Sequence, residues 1–256
     1  MRPDAPIGGT LSDRAFREQD ATGLVAFRVI LGLLVGVGAL RFLTNDWVER
    51  FFVKPEFYFK YWGFEWVEVL SPGGMHAAFV VLVGLGACVS LGLFYRLSCL
   101  GAFLLFTYVE LIDVTNYLNH YYLLSVLLLL ATVLPLHRCG SVDSWLSAKR
   151  RGEPSPPLLL PTWLTWLLRL QVGLVWFYAG VAKMNGDWLL HGQPMGIWMA
   201  SQTDTPLLGS LFAEPTFALA MSWAGCLYDT FIVFFLLNGR TRPLAMATVL
   251  LFHSAV

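Results

Sequence analysis

Seven mostly apolar stretches follow one another along this chain of 256 residues, and they constrain its fold more than any other feature. A helix that crosses the hydrocarbon core of a bilayer needs ~20 predominantly apolar residues. The predicted spans cover residues 23–43, 74–93, 97–113, 119–136, 163–182 and 217–237, and a seventh begins at Pro243. The sequence therefore predicts an all-α multi-pass membrane protein, a helical bundle with about seven spans.

The composition agrees with integral membrane localisation. Hydrophobic residues make up 57% of the chain and charged residues 13%, whereas about 25% of the residues of an ordinary soluble domain are charged. The formal net charge is zero, so the sequence offers no electrostatic reason to expect a nucleic acid or a strongly charged partner.

The two ends of the chain set the predicted domain boundaries. Residues 1–20 are polar and lack the apolar core of a signal peptide, so we interpret them as an N-terminal segment that precedes one transmembrane domain, residues 21–256. The seventh span stops at Val256 after about 14 residues, roughly 21 Å of helix, which is shorter than the ~30 Å hydrocarbon core. We therefore expect the sequence to be an N-terminal fragment of a longer protein.

The distribution of lysine and arginine predicts the orientation. Successive loops fall on alternate sides of a membrane, and the cytoplasmic side carries the excess of these residues. One side collects Arg2, Arg14, Arg17, Arg96, Arg138, Lys149, Arg150, Arg151, Arg240 and Arg242, and the other collects Arg50, Lys54, Lys60 and Lys183. Ten residues against four predict a cytoplasmic N-terminus, with the long connections 44–73 and 184–216 on the external side.

Lys183 lies where the fifth span ends, in the stretch WFYAGVAKMNGDWLLHGQPM, residues 176–195. A lysine at this position can be an anchor that buries its methylenes and keeps its ammonium among the lipid headgroups. It can instead be a reagent, because a lysine that loses its water becomes a usable base near neutral pH. The residues alone leave both interpretations open.

Asn119 and His120 lie where the third span turns into the fourth, on the same predicted side of the membrane as Lys183. His120 can be a helix-start histidine that is hydrogen-bonded to the backbone. Polar groups at membrane depth also tend to mark a functional site. We therefore regard both residues as candidate partners of Lys183.

Arg28, Arg169 and His253 are further candidates within the predicted spans. Arg28 lies one to two turns from the cytoplasmic boundary, which favours a structural pair or a side chain that reaches the interface. His253 lies about ten residues into the seventh span, so its ring is expected to face the interior of the bundle. There it can serve as a packing donor or as part of a site.

Other motif classes find no support. Trp62, Trp66 and Trp188 are typical of the aromatic belts of membrane proteins. The chain contains no G-x-S-x-G, P-loop, H-E-x-x-H or dinucleotide-binding motif. The four cysteines are scattered without metal-ligand spacing, so we predict no metal site.

Six segments carry a specific resemblance to a known family. They are VAFRVILG (25–32), GLFYRLSC (92–99), NYLNHYYLL (116–124), SVDSWL (141–146), RLQVGLVWFYAGVAKMNGDWLLHGQPM (169–195) and LLFHSAV (250–256). Together they resemble the vitamin K-dependent gamma-glutamyl carboxylases and their bacterial relatives that share the horizontally transferred transmembrane (HTTM) domain. The block YAGVAKMNGDW is the most specific, and the resemblance covers the chain from about Asp20 to its end.

The resemblance implies an enzyme of the carboxy-lyase class. In that family a buried lysine deprotonates vitamin K hydroquinone, O2 adds, and the resulting alkoxide removes a proton from the γ carbon of a glutamate. The carbanion takes up CO2, and the quinone leaves as its epoxide. The implied cofactor is vitamin K hydroquinone or a related quinol, with O2 and CO2 as co-substrates, a glutamate-containing protein or peptide as partner, and no metal.

The resemblance also implies roles for individual residues. The lysine of the motif falls on Lys183 as the initiating base, and His120 positions or tunes it. Asn119 hydrogen-bonds the quinone oxygen, and His253 and Tyr178 are further quinol-binding residues. The charge distribution puts Lys183 and Asn119 on the external side, which is where the family's carboxylation takes place.

Two alternatives stay open. A relative that keeps the quinone pocket can perform only epoxidation or another quinone-linked oxidation–reduction, because bacterial members need not modify glutamate. The chain can also be a non-catalytic HTTM membrane protein. The extramembrane C-terminal region that helps the family's enzymes bind their protein substrate is absent from this sequence, so carboxylation is the step that the resemblance supports least.

Overall fold

The computed structural model describes residues 10–206 and 208–255. Residues 1–9 of the predicted N-terminal segment, among them Arg2, lie outside the described residues, as does Val256 at the end of LLFHSAV. The chain divides into two compact units, residues 1–165 and residues 166–256.

The first unit consists of helices and one pair of short strands. Its helices are α1 (Leu11–Phe16), α2 (Thr22–Thr44), α3 (Pro72–Leu91), α4 (Tyr95–Leu111), α5 (Asn119–Val133) and α6 (Val142–Arg151). A π-helix, Glu49–Val53, lies between α2 and α3, and a 3-10 turn, Val114–Asn116, lies between α4 and α5. Strands β1 (Glu18–Asp20) and β2 (Leu159–Pro161) pair antiparallel.

The second unit contains two long helices, one shorter helix and a connection made of helical turns. Its helices are α7 (Thr162–Ala182), whose first turn belongs to the first unit, α8 (Gly186–Leu189), α9 (Met195–Ala200), α10 (Gly209–Phe212), α11 (Pro215–Leu237) and α12 (Arg242–Ala255). The short helices α8, α9 and α10 make up the connection between α7 and α11.

All seven predicted spans form helices, and no predicted boundary differs from the observed one by more than three residues. Four of these helices, α2, α3, α7 and α11, are long and apolar enough to cross a membrane. Helices α4, α5 and α12 are shorter, with 17, 15 and 14 residues. The predicted all-α multi-pass membrane fold is therefore confirmed, whereas the count of seven spans stays a prediction.

Local signals explain where α3 begins and ends. The side chain of Ser71 accepts a hydrogen bond from the backbone N–H of Gly74, and Pro72 suits the first helical position because it needs no donor there. The helix stops at Gly92, whose φ of 65° lies in the left-handed region that ends many helices. These residues fix the length of the span independently of its apolar content.

Helices α2 and α3 approach each other so closely that only glycine fits at their crossing. A Cβ atom on Gly86 would lie 2.5 Å from the backbone nitrogen of Gly36 and 2.6 Å from the carbonyl oxygen of Gly32. Across the same crossing, Ser90 Oγ donates a hydrogen bond to the carbonyl oxygen of Val29 at 3.0 Å. Small residues allow this approach in membrane bundles, where van der Waals contact and hydrogen bonds hold helices together.

Arg28 is buried and binds backbone carbonyls. Its side chain is 2% exposed, and its guanidinium donates hydrogen bonds to the carbonyl oxygens of Leu136 at 3.0 Å and Gly140 at 2.7 Å. Both acceptors lie in the turn between α5 and α6. Arg28 therefore has the structural role that its position in the sequence favoured, since it ties α2 to this turn.

Asp143 fixes the start of α4 beside Arg28. Its two carboxylate oxygens accept hydrogen bonds from the backbone N–H groups of Phe94 and Tyr95, each at 2.9 Å. A carboxylate at this end of a helix satisfies free donors and complements the helix dipole.

The ring of His137 stacks on Tyr95 with 5.4 Å between ring centres. Burial lowers the pKa of His137, so this ring is neutral at neutral pH.

Gly86→Ala should destabilise the first unit, because the added methyl group would overlap the backbone of α2. Overpacking of this kind costs about 1–3 kcal/mol. Gly84→Ala is the matched control on the same helix, since nothing lies within 4 Å of a Cβ atom at Gly84, and we expect it to cause no loss. Thermal unfolding of the purified protein in detergent measures both variants. Equal melting temperatures would contradict the close crossing.

Candidate functional site

The five predicted site residues lie in two different units. Lys183, Tyr178 and His253 belong to the second unit, whereas Asn119 and His120 belong to the first. The predicted action of Asn119 and His120 together with Lys183 therefore stays a prediction.

Gly180 sets the spacing between α7 and α11. A Cβ atom on Gly180 would lie 2.2 Å from Thr230 Oγ1 and 2.6 Å from the backbone nitrogen of Thr230. One turn earlier on α11, the thiol of Cys226 donates to the carbonyl oxygen of Gly180 at 3.6 Å. Only glycine allows this approach. Lys183 follows three residues later, on the same face of the helical turn, and therefore meets α11 as well.

The chain after Gly180 runs alongside α11 toward the first residue of that helix. Lys183 contacts Asp229, Leu189 contacts Trp223, and Phe212 contacts Phe217. Between them, a Cβ atom added to Gly225 would lie 3.9 Å from Trp188, and one added to Gly192 would lie 3.0 Å from Leu219. Asp229 lies 14 positions after Pro215, the first residue of α11, which is roughly 21 Å at 1.5 Å per residue. Lys183 is thus level with the second half of α11.

Lys183 and Asp229 form an ion pair. Lys183 Nζ lies 2.5 Å from Asp229 Oδ2 and also donates to the carbonyl oxygen of Ala179 at 3.3 Å. The two side chains are only 22% and 13% exposed, so water screens this pair less than a surface pair. Trp188 covers the ammonium from another direction, with Nζ 5.2 Å from the ring centre, a cation–π contact.

The carboxylate changes what Lys183 can do chemically. The amine of Lys183 already donates to Asp229 Oδ2 and to the carbonyl oxygen of Ala179, so it is not a free amine in this arrangement. Transfer of one proton from Nζ to Asp229 would leave a neutral amine beside a neutral acid.

Sequence reasoning missed Asp229. It stands in LYDTF, residues 227–231, and is the single Asp, Glu, Lys or Arg in the predicted span 217–237. An isolated carboxylate in an apolar span is costly unless it is paired, and it marks a functional position by default. That signal was available, but the identity of its basic partner depends on which helices pack together.

An aromatic cluster joins α7, α11 and α12. Phe252 stacks on Tyr228 with 4.3 Å between ring centres, and Trp176 meets Tyr228 at 5.4 Å and His253 at 5.5 Å. His253 Nδ1 lies 2.8 Å from the carbonyl oxygen of Val249. Because a carbonyl oxygen can only accept, Nδ1 is the donor in this contact.

Tyr178 occupies a different face of α7. It is 63% exposed, and its ring packs against Phe177 at 5.7 Å. Tyr178 precedes Lys183 by five residues, which rotates it by about 140° around a helix with 3.6 residues per turn. The structure therefore does not bring Tyr178 to the ion pair, and its predicted contact with a quinol stays a prediction.

Asn119 and His120 form the first turn of α5 in the first unit. Asn119 is exposed. The ring of His120 meets the ring of Tyr121 at 4.7 Å and lines a cavity of about 550 Å³. Within the described part of the chain the His120 ring makes no hydrogen bond, so the backbone-bonded interpretation of this histidine does not hold there. Ligand pockets commonly measure ~300–1,000 Å³, and this cavity is of that size.

The family relationship agrees with this architecture. The family model of the HTTM domain matches residues 16–256. This chain belongs to the HTTM domain family. The HTTM match spans both units, and together with the four apolar helices of membrane-spanning length it shows an HTTM-family membrane protein. No solved structure matches the chain significantly.

A double-mutant cycle tests whether Lys183 and Asp229 are coupled in the HTTM fold. Lys183→Met and Asp229→Asn should each destabilise the protein by about 2 kcal/mol, because each leaves one partly buried charge without its partner. The double variant should lose less than the sum of the two. Thermal unfolding measures all three variants, and strictly additive losses would show that the two side chains do not interact.

Proposed function

We propose that this HTTM protein is a membrane enzyme that uses Lys183 as the initiating base of a vitamin K-dependent, gamma-glutamyl carboxylase-like reaction. The observation that carries the proposal is the Lys183–Asp229 ion pair, which lies beneath Trp188 and level with the second half of α11. Membership of the HTTM family supports this type of chemistry. The ion pair supplies groups that can move a proton inside an apolar bundle.

Lys183 would act together with Asp229. The ammonium proton passes from Nζ to Asp229 Oδ2, and the neutral amine then takes a proton from a hydroxyl of the reduced quinone. In total, one proton moves from the reduced quinone to the Lys183–Asp229 pair. The negative charge that this leaves on the substrate lies beside the ammonium of Lys183, which balances it, and a site that excludes water strengthens that attraction.

Several groups of the second unit fit a reduced quinone. The hydroxyls of Ser222 and Tyr228 are buried and have no hydrogen-bond partner among the described residues, so each can bind a quinone oxygen. Ser222 precedes Asp229 by seven residues and therefore shares its face of α11. Tyr228, Phe252 and Trp176 offer aromatic faces for stacking. When bound, the quinol would supply the electrons that reduce O2, and CO2 would add to a glutamate.

The remaining predicted residues have supporting roles in this proposal. His253 Nε2 would accept a hydrogen bond from the quinol. Tyr178 would contact the quinol from its own face of α7. The roles that the resemblance implies for His120 and Asn119 stay predictions, because both residues lie in the first unit. The excess of Lys and Arg in the predicted cytoplasmic loops supports an external location for the reaction.

The decisive experiment measures the two products separately. Full-length protein in nanodiscs is incubated with vitamin K hydroquinone, O2, labelled CO2 and a glutamate-rich peptide, and quinone epoxide and peptide-bound label are quantified. We expect both products. Lys183→Met should lower both rates about 100-fold or more, since a positioned base contributes 10²–10⁴-fold. Lys54→Met, which removes an exposed external lysine, is the matched control and should retain both rates.

The other outcomes separate the alternatives. Epoxide without label would replace the carboxylase assignment with a quinone epoxidase that shares the same base. Neither product, from a protein that unfolds cooperatively, would overturn enzymatic function and leave the Lys183–Asp229 pair as a packing interaction between α7 and α11. A Lys183→Met variant with full rates of both products would show that another group is the base.

A further inference from the structure

We propose that the cavity of the first unit binds an amphiphile with an apolar body and one anionic head group, a carboxylate or a phosphate, which Arg41 and Arg50 hold. The cavity is formed by the end of α2, the π-helix Glu49–Val53, α4 and α5. This ligand goes beyond the proposed function, because its binding requires neither Lys183 nor a quinone.

The walls of the cavity suit an apolar body. Phe42 is the centre of an aromatic cluster at the end of α2, where it stacks on Phe79 at 5.0 Å and meets Trp47 edge-on at 5.2 Å. Phe106 and Leu124 complete the apolar lining on α4 and α5. Pockets of this kind bury a ligand against apolar walls and orient it with a few polar groups.

The polar groups on one wall are two arginines that lie on aromatic rings. The guanidinium of Arg41 is 5.3 Å from the ring centre of Trp47, and that of Arg50 is 5.5 Å from the ring centre of Phe51. Stacking on a ring holds the planar guanidinium in place and leaves its N–H donors free at the edges. Such a fork matches the oxygens of a carboxylate or phosphate.

Neither arginine has an acidic partner among the described residues. Lys60, in the same connection between α2 and α3, does have one, since its Nζ lies 3.8 Å from Glu68. Glu49 is the immediate neighbour of Arg50 in the chain, but its carboxylate lies 3.9 Å from His76. The two positive charges at the cavity are therefore not neutralised by the protein, and an anionic head group would complement both.

Glu110 does not supply the missing negative charge. It lines the cavity from α4, but its carboxylate accepts a hydrogen bond from the hydroxyl of Ser125 on α5. No ion pair joins Glu110 to either arginine in the described chain. The arginines therefore stay available to a ligand.

The local backbone is built to present Arg50 to the cavity. Asp46 has a φ of 55°, in the left-handed region that Asp adopts more readily than most residues. The chain then forms the π-helix Glu49–Val53, a rare element that occurs frequently at functional sites. Together these features fold the chain back, so that Trp47, Arg50 and Phe51 line the same cavity as the end of α2.

An arginine at the end of a span can simply reach the lipid headgroups. That alternative predicts no shared concave site. Here Arg41 and Arg50 come from different elements and line one cavity, together with His120. Two exposed guanidinium groups that line one aromatic cavity are better explained by a ligand that has both a charge and an apolar body.

The binding experiment uses the full chain in nanodiscs of zwitterionic phosphatidylcholine, labelled with a diazirine derivative of palmitate. We expect cross-links within residues 34–52 and 106–124. Unlabelled palmitate or hexadecyl phosphate should compete about tenfold better than hexadecanol, because an ionised acceptor gains charge-assisted hydrogen bonds from arginine. The better competitor of the two anions identifies the head group.

Matched variants connect that binding to the arginines. Arg41→Gln and Arg50→Gln should each weaken palmitate binding about tenfold. Lys54→Gln removes the same charge four residues further along but lies outside the cavity lining, and it should bind as the native protein does. Gly38→Leu tests the cavity itself. Gly38 lines the cavity, and nothing lies within 4 Å of a Cβ atom at this position. The leucine should fill the cavity and abolish binding without unfolding the helix.

Several results would overturn the proposal. Equal competition by hexadecanol would show that the head group is not recognised. Cross-links outside the cavity would place the ligand elsewhere, as would full binding by the folded Gly38→Leu variant. Lys183→Met should bind palmitate normally, so a failed carboxylation assay and a failed amphiphile assay are distinguishable.

Discussion

Direct backbone contact between helices at glycine positions is the interaction on which both units depend. Apolar side chains gain little by leaving lipid for another helix, so membrane bundles rely on close packing and on polar contacts between helices. Gly32 and Gly86 provide that contact between α2 and α3, and Gly180 provides it between α7 and α11. In the second unit the consequence is functional, because the approach at Gly180 brings Lys183 against Asp229.

Each unit shields a cation, Arg28 fully and Lys183 in part, and the partners decide what each cation can do. Arg28 donates to two backbone carbonyls, which accept hydrogen bonds but cannot take a proton, and a guanidinium does not lose one in proteins. That arrangement can only hold the structure together. Lys183 faces the carboxylate of Asp229 instead, and an amine and a carboxylate can exchange a proton. Proton transfer is therefore possible at Lys183 and excluded at Arg28.

The sequence predicted the elements of the fold well and their contacts poorly. Apolar runs and terminal signals such as Ser71 and Gly92 act locally, so the helix boundaries could be read from neighbouring residues. The strands β1 and β2 are three residues each and pair across about 140 positions, a contact that no local pattern contains. Asp229 was missed for the same reason. The sequence shows that Asp229 is a carboxylate in an apolar span, where it is costly unless it is paired. Its pairing with Lys183, however, follows from tertiary packing.

The connection between α7 and α11 explains why Lys183 differs from a lysine at a helix end. From the sequence, residues 184–216 form an external loop and Trp188 belongs to an aromatic belt. In the structure this connection packs along α11, and the indole of Trp223 donates to the carbonyl oxygen of Leu189 at 2.9 Å. Such a bond satisfies a polar group of the irregular backbone in this connection. The same packing puts Trp188 over the ammonium of Lys183. The path of this connection along α11 thus gives Lys183 its aromatic cover, whereas the close approach at Gly180 gives it its carboxylate partner.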